Sequence, residues 1–181
     1  NMVLLKNPIT FWVKNGDFPE TLALSLANYF RPDGKYYTAK KNYYRWEAGT
    51  REAYSNVAMA LAAYVAEIVA GLPFEKLSER NLFQPLGLNG AQFRLAGMDR
   101  STIAMPYGLK KKSDQLKPLG HHGYLDYPAG TLRITATQLA RFLACFAQEG
   151  TLEKTQVLQP KTVRDMQTIA FPAIAPKQGL A

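Results

Sequence analysis

Glu47-Ala48-Gly49-Thr50-Arg51-Glu52-Ala53-Tyr54-Ser55-Asn56 runs without a break into Val57-Ala58-Met59-Ala60-Leu61-Ala62-Ala63-Tyr64-Val65-Ala66-Glu67-Ile68-Val69-Ala70-Gly71. The second half reads as the strongest helix of the chain, Asn56 to Ala70. Val57, Leu61, Tyr64, Val65 and Ile68 recur at spacings of three and four, which predicts one apolar stripe facing a core. Gly71 can adopt the left-handed conformation that ends a helix. The first half is polar and turn-like, and its last three residues stand where the helix begins.

Tyr54, Ser55 and Asn56 are the central chemical candidates. A phenol with an ordinary pKa near 10 is too weakly acidic to act as a base at neutral pH. A neighbouring lysine ammonium lowers that value, and the tyrosine can then move the proton of a serine nucleophile and of its leaving group. The Asn56 amide can donate to a substrate carbonyl and accept from a lysine. Ser55, between them, is a candidate substrate contact together with Asn56. A plainer arrangement also fits: a loop tyrosine packed at a helix start that Asn56 caps.

Toward the N-terminus, Pro19 to Phe30 reads as a helix with Leu22, Leu26 and Tyr29 on one face and Pro19 in its first turn. Arg31-Pro32-Asp33-Gly34 is a turn, and Lys35 to Arg51 is a long polar and aromatic loop. Toward the C-terminus, Pro73 to Phe83 is a helix with Phe74, Leu77 and Leu82 inward, ended by Pro85-Leu86-Gly87. Ala91 to Tyr107 reads as extended or irregular, and Lys110 to Lys117 as a charged loop. Thr135 to Gln148 is a helix with Thr135 and Gln138 spaced for a capping box, a stripe of Leu139, Phe142, Leu143 and Phe146, and a stop at Gly150. Pro160 to Gln167 is a last short helix, and the tail from Phe171 is extended. The strand signal is thin. The expectation is a mainly α lobe, one partial domain over residues 1–181, long enough to bury a core.

Composition narrows the partners. An apolar fraction of 47% excludes a disordered chain. The net charge of +8 points toward anionic partners. The cations gather at Lys35, Lys40, Lys41, Arg45 and Arg51, among Tyr36, Tyr37, Tyr43 and Tyr44, and again at Lys110, Lys111, Lys112 and Lys117. Basic residues among aromatics can hold a single nucleic-acid strand, but no nucleic-acid motif accompanies them, and two solvated loops are the reading adopted. The single cysteine, Cys145, lies in an apolar run and reads as a buried thiol, which excludes an internal disulfide and a cysteine zinc site. Asn1 to Pro8 lacks the pattern of a signal peptide. The apolar stretch Val57 to Leu72 contains Glu67 and is too short to span a bilayer, so no transmembrane segment is expected. His121 and His122 are adjacent, with only Asp126 close, so no metal site is expected. Asp126 and His122 can pair, but no serine completes a triad. Gly120, Gly123 and Gly130 make no phosphate loop, and no cofactor is implied.

Four stretches carry a resemblance. Glu47 to Asn56 resembles the "PGT…YSN" or "PGT…YAN" segment holding the second motif of class C β-lactamases and their DD-peptidase and esterase relatives. Leu72-Pro73-Phe74-Glu75 and Phe83-Gln84-Pro85-Leu86-Gly87-Leu88 resemble that family's "G-x-x-F…x-F-x-PLGM" stretch. Tyr127-Pro128-Ala129-Gly130-Thr131-Leu132, with Thr135 and Leu139-Ala140-Arg141-Phe142-Leu143, resembles its "PAGGL…T-x-x-D-L-A-R-F-L" stretch. Gly150 and Leu158 to Met166 follow in the same order. The resemblance implies the helical lobe of the β-lactamase/transpeptidase-like α/β fold, with the main antiparallel sheet largely absent. It implies a parent serine hydrolase, of the penicillin-binding-protein-like kind, acting on a β-lactam, an ester or a peptidoglycan-like peptide. In it Tyr54 is the base or proton shuttle and Asn56 orients the substrate. Relatives are mostly periplasmic, secreted or membrane-associated.

The departures matter as much. The family's nucleophile lies in Ser-x-x-Lys, yet none of Ser25, Ser55, Ser78, Ser101 and Ser113 has lysine three residues later. The third motif is Lys-Thr-Gly or His-x-Gly. His121-His122-Gly123 fits those letters but precedes the Pro-Ala-Gly stretch instead of following it, and is read as a loop. Ala48 stands where proline is usual, and Gln138 where an acid is usual. The isolated chain is therefore expected to be an inactive fragment that self-associates through the face meant for the sheet. The alternative is a non-catalytic binding domain of the same fold.

Overall fold

The computed structural model describes residues 11–110 and 113–173. In chain order the elements are β1 (Trp12–Lys14), α1 (Leu22–Phe30), α2 (Ala39–Asn42), α3 (Asn56–Ala70), α4 (Phe74–Ser78), β2 (Tyr107–Leu109), β3 (Leu116–Pro118), β4 (His122–Tyr124), α5 (Ala136–Ala147), β5 (Thr151–Leu152), β6 (Thr155–Gln156) and α6 (Pro160–Gln167). A π-helical turn, Glu79–Phe83, continues α4, and 3-10 turns occupy Arg100–Thr102 and Tyr127–Ala129. The strands form three separate antiparallel pairs, β1 with β4, β2 with β3 and β5 with β6. The described residues are thus mainly helical, as expected. Lys111, Lys112, Asn1 to Pro8 and most of the tail after Phe171 lie outside them.

α1 begins at Leu22, three residues later than the proline suggested. The Thr21 hydroxyl accepts from the Leu24 amide at 3.2 Å, and a threonine cap fixes a helix start more strongly than a nearby proline does. Its buried residues, Leu22, Ser25, Leu26 and Tyr29, meet α3.

The loop after α1 is tied down by its own tyrosines. Tyr36 donates to Glu20 Oε1 at 2.7 Å, and Tyr43 donates to the Phe30 carbonyl at 3.0 Å. The buried Asn42 amide donates to the carbonyls of Tyr29 (2.8 Å) and Tyr36 (3.0 Å). One turn of helix, α2, forms inside the expected loop.

α3 has the expected bounds and ends at Gly71 with φ 64°. Its facing differs from the expected stripe. Val57, Ala60 and Ala63 are buried, whereas Leu61, Val65 and Ile68 are 36%, 54% and 66% exposed. A helix that is apolar all round does not disclose its inward face through periodicity. Here the small residues face inward and let α1 and the Tyr127–Ala129 turn pack closely. Glu67, the one charge in the run, acts locally. Its carboxylate accepts from the Phe74 amide at 2.7 Å, at the start of α4.

His121-His122-Gly123 is not a loop. His122–Tyr124 is β4, paired with Trp12–Lys14 in register Val13 to Gly123. A Cβ at Gly123 would run into the Gly16 carbonyl and Asp17, so glycine lets the chain just after β1 pass close to β4. α5 begins with the expected capping box of Thr135 and Gln138. Its deeply buried residue is Cys145, while Leu139 and Leu143 of the expected stripe are exposed. The core joins Leu22, Leu26 and Tyr29 of α1 to Val57 and Ala60 of α3 and to Phe83, Leu86, Phe93, Tyr127 and Cys145.

Candidate active site

The three candidate residues occupy one helix start and are presented differently. Tyr54 is 73% exposed. Ser55 is buried and caps α3, its hydroxyl oxygen accepting from the Ala58 amide at 3.2 Å. Asn56 is the first helical residue and partly buried. The cap is thus Ser55 and not Asn56, whose side-chain amide is engaged elsewhere. That amide donates to the carboxylate of Asp126.

Asp126 sits just before the Tyr127–Ala129 turn, and that turn packs on α3. The fold therefore brings the Tyr54-Ser55-Asn56 stretch together with the Tyr127-Pro128-Ala129-Gly130 stretch, which lie more than seventy positions apart in the sequence. The turn is locked from its far side. Tyr127 donates to Glu75 Oε2 at 2.6 Å, and Arg94 donates to Glu75 Oε1 at 3.1 Å. The Arg94 guanidinium lies 4.4 Å from the centre of the Tyr127 ring. The Thr131 hydroxyl lies within hydrogen-bond distance of the carbonyls of Phe93 and Tyr127, at 2.8 and 3.0 Å, and shares its one proton between them.

The electrostatics follow burial. Burial pushes the Asp126 carboxyl above the ordinary aspartate value, and the Asn56 hydrogen bond pulls only partly the other way. Burial and the neighbouring Glu75 carboxylate push the Tyr127 phenol up, so it stays a donor. For Glu75, burial acts upward, but the bonds from Tyr127 and Arg94 outweigh it and leave the carboxyl below its usual range. Burial likewise pushes the Cys145 thiol up, away from the reactive thiolate.

The basic loop supplies less free charge than its composition suggests. Lys35 reaches Glu20 at 3.7 Å and stands 5.1 Å from the Tyr36 ring centre. Arg51 lies over Trp46, which stacks on Tyr44 with ring centres 4.1 Å apart. His121 is buried and His122 packs edge-on against Trp12 at 4.5 Å, so the two histidines face different surroundings. Among the described residues no three His, Cys, Asp or Glu side chains gather as a metal site. No single described helix is long and apolar enough to cross a membrane; α3 and α4, with the turn that continues α4, reach that length only as a pair bent by 77°.

Concavities of about 420 and 490 Å³ flank the Arg94–Glu75 pair, the first with Phe83 and Gln92 in its wall and the second with Tyr64 and Tyr127. Neither is lined by Tyr54, Ser55 or Asn56. Sequence reasoning considered Asp126 only beside the two histidines, as a metal-site neighbour and as a partner for His122. Its position one residue before a family-like stretch was the available signal.

The chain belongs to the β-lactamase family: the family model described as beta-lactamase matches residues 32–177. Among solved structures it is similar to a candidate β-lactamase from Bacteroides dorei DSM 17855, with 23% identity, a TM-score of 0.57 and 92% of this chain covered. It is also similar to the octameric penicillin-binding protein homologue from Pyrococcus abyssi, with 23% identity, a TM-score of 0.58 and 82% covered. A third is the D-amino acid amidase from Ochrobactrum anthropi SV3, solved with D-phenylalanine, with 18% identity, a TM-score of 0.58 and 72% covered. The chain spans 39%, 30% and 41% of those three structures, respectively. At these identities the likeness establishes the fold.

Proposed function

We propose that this chain is the helical lobe of a longer serine hydrolase of the class C β-lactamase, DD-peptidase or esterase type. Its contribution to the active site is Tyr54 and Asn56. The observation that carries the reading is the presentation of these two residues. Tyr54 stands open to solvent on a helix start fixed by Ser55, and Asn56 beside it is held by a second, independently locked element. A proton shuttle must be reachable, and a substrate-orienting amide must be fixed.

In this reading the nucleophilic serine and its lysine come from sequence outside these 181 residues. The serine attacks the carbonyl of a β-lactam, ester or peptidoglycan-like amide. Tyr54 takes the serine proton and returns it to the leaving group, and Asn56 donates to the substrate's amide carbonyl. Water then hydrolyses the acyl-enzyme. Ser55 serves the site by holding the helix start on which both neighbours stand. The exposed apolar face of α3 is where the lobe meets the rest of that protein, and in the isolated chain it drives self-association.

The test is acylation. The longer protein is incubated with a penicillin or a fluorophosphonate probe and its intact mass is read. The expected result is an adduct on a serine outside these 181 residues, formed about a hundredfold or more slowly by Tyr54→Phe. The 181-residue chain alone should give none. Absence of an adduct with every acylating probe would overturn the hydrolase reading and leave a non-catalytic interaction domain of the same fold.

A further inference from the structure

We infer that the groove between the run into β2 and the segment after the Tyr127–Ala129 turn binds a small carboxylate with an apolar tail, Arg133 receiving the carboxylate. The inference is independent of the roles proposed for Tyr54 and Asn56, neither of which lines this groove.

The groove measures about 590 Å³, an ordinary size for a small-molecule site. Met105, Leu119, Tyr124 and Leu132 line it, and each is between 38% and 43% exposed. Its walls are tied to one another. The Leu119 amide donates to the Pro106 carbonyl at 2.9 Å, and Arg133 Nη2 donates to the His122 carbonyl at 2.8 Å. Apolar surface thus stands open on a preformed frame, and a hydrocarbon tail laid on it would take that surface out of water.

Two polar groups in the wall lack what an anion supplies. The half-buried Arg133 donates from Nη1 to the carbonyls of Phe93 (2.6 Å) and Thr131 (3.1 Å), and from Nη2 to that of His122. Carbonyls fix a guanidinium without neutralising it. Among the described residues no carboxylate ion-pairs with it. Asp17 acts on it only at longer range, and its two oxygens accept from the Leu95 and Ala96 amides at 2.7 and 2.8 Å. Burial lowers the Arg133 pKa, as expected of a cation kept without a close counter-charge. The Nε–H and one Nη2–H remain for a ligand. His121, also in the wall, is buried, and its Nε2 has no hydrogen-bond partner. A buried polar atom without a partner is uncommon and calls for one. No hydrogen bond to a described residue holds that ring. A half-turn about its last torsion exchanges its nitrogen and carbon positions, so it can offer an N–H beside the guanidinium.

The charge selects the ligand. Arg133 is the one permanent cation in the lining, and no acidic residue lines the groove. A single positive charge matches a monoanion. A carboxylate is flat and takes two N–H bonds from a guanidinium, whereas the second charge of a phosphate monoester would stay unmatched.

The test uses the 15N-labelled 181-residue chain with three probes: hexanoate, its neutral counterpart hexanamide, and acetate. Hexanoate should shift the resonances of residues 119–124 and 131–133 saturably, with the Arg133 Nε–H and the His121 ring moving in step. Hexanamide lacks the charge and acetate the tail, so each should bind about tenfold or more weakly. Leu132→Glu places a negative charge in the groove at a partly exposed position. It should abolish hexanoate binding with little change in thermal midpoint. Arg133→Gln also removes the bonds to three carbonyls, so the pair of hexanoate and hexanamide carries the test of the charge. No saturable shift with hexanoate overturns the site, and saturable shifts centred elsewhere overturn its placement. Equal binding of hexanoate and hexanamide overturns the carboxylate and leaves a plain apolar groove. Shifts of these resonances with protein concentration alone, which hexanoate does not compete with, overturn the proposal in favour of a second copy of the chain.

Discussion

Ser55 is held by the amide it caps, and this separates its stability role from the chemistry of its neighbours. Removing the hydroxyl leaves the Ala58 amide without its partner in a buried corner. Ser55→Ala should cost about 1 kcal/mol, and Ser55→Asp should recover much of it because aspartate caps as well and suits a helix N-terminus. Urea unfolding of the three proteins checks this, and an unaffected Ser55→Ala would show that the cap carries no stability. Glu75 offers a second test with a defined sign. Its folded-state pKa is depressed, so its pairing stabilises the fold above the ordinary glutamate value and is lost as pH falls through the folded one. Tyr127→Phe removes the strongest donor. The variant should be less stable by roughly 1.5–3 kcal/mol at neutral pH, and the gap should narrow as pH falls through that window. A gap independent of pH would mean that the tyrosine acts by packing and not through the carboxylate.

The elements show what a single sequence discloses and where it stops. Helices whose ends carry local chemistry were legible: Gly71, the Thr135–Gln138 capping box and Pro160 each mark an end within a few residues. The start of α1 was misplaced because Pro19 and Thr21 compete within one turn and the hydroxyl prevailed. The facing of α3 and the strand character of His122–Tyr124 were not legible. The first depends on which of several apolar faces the neighbours cover. The second depends on a partner strand more than a hundred positions away in the sequence. For the candidate site, a motif in the sequence pointed to Tyr54 and Asn56, whereas the nearness of Asp126 to Asn56 became visible only in the fold. Gly150 tests the logic of element ends. It takes φ 87°, and a Cβ there would collide with the Leu158 carbonyl, which lies just beyond β6. Gly150→Ala should therefore destabilise by more than the roughly 1 kcal/mol of an ordinary helix-end glycine, read as a fall in thermal midpoint. An unchanged midpoint would mean that the backbone around Leu158 adapts freely.

At the scale of the whole molecule, the outward side of α3 sets the behaviour of the isolated chain. Leu61, Val65, Ile68 and Val69 are exposed on one helix, with Met59 on the adjoining side. Leu139 and Leu143 of α5 are exposed as well. Contiguous apolar surface on a soluble chain favours burial against another molecule when nothing else covers it. The +8 charge opposes close approach, so association should strengthen as salt screens it. Light scattering of the 181-residue chain should give a mass that rises with concentration and with salt. Val65→Lys combined with Val69→Glu places charges on this face at solvent-exposed positions, where substitutions usually change stability by no more than about 0.5 kcal/mol. The double variant should remain monomeric with little change in thermal midpoint. A wild-type chain that is monomeric at high concentration and high salt would show that exposed α3 surface is tolerated by the lobe. In the longer hydrolase proposed above, the same two substitutions should instead lower the thermal midpoint, because the face that is open here is proposed to be covered there. Opposite responses in the two contexts would identify α3 as the seam between this chain and the rest of the proposed longer hydrolase.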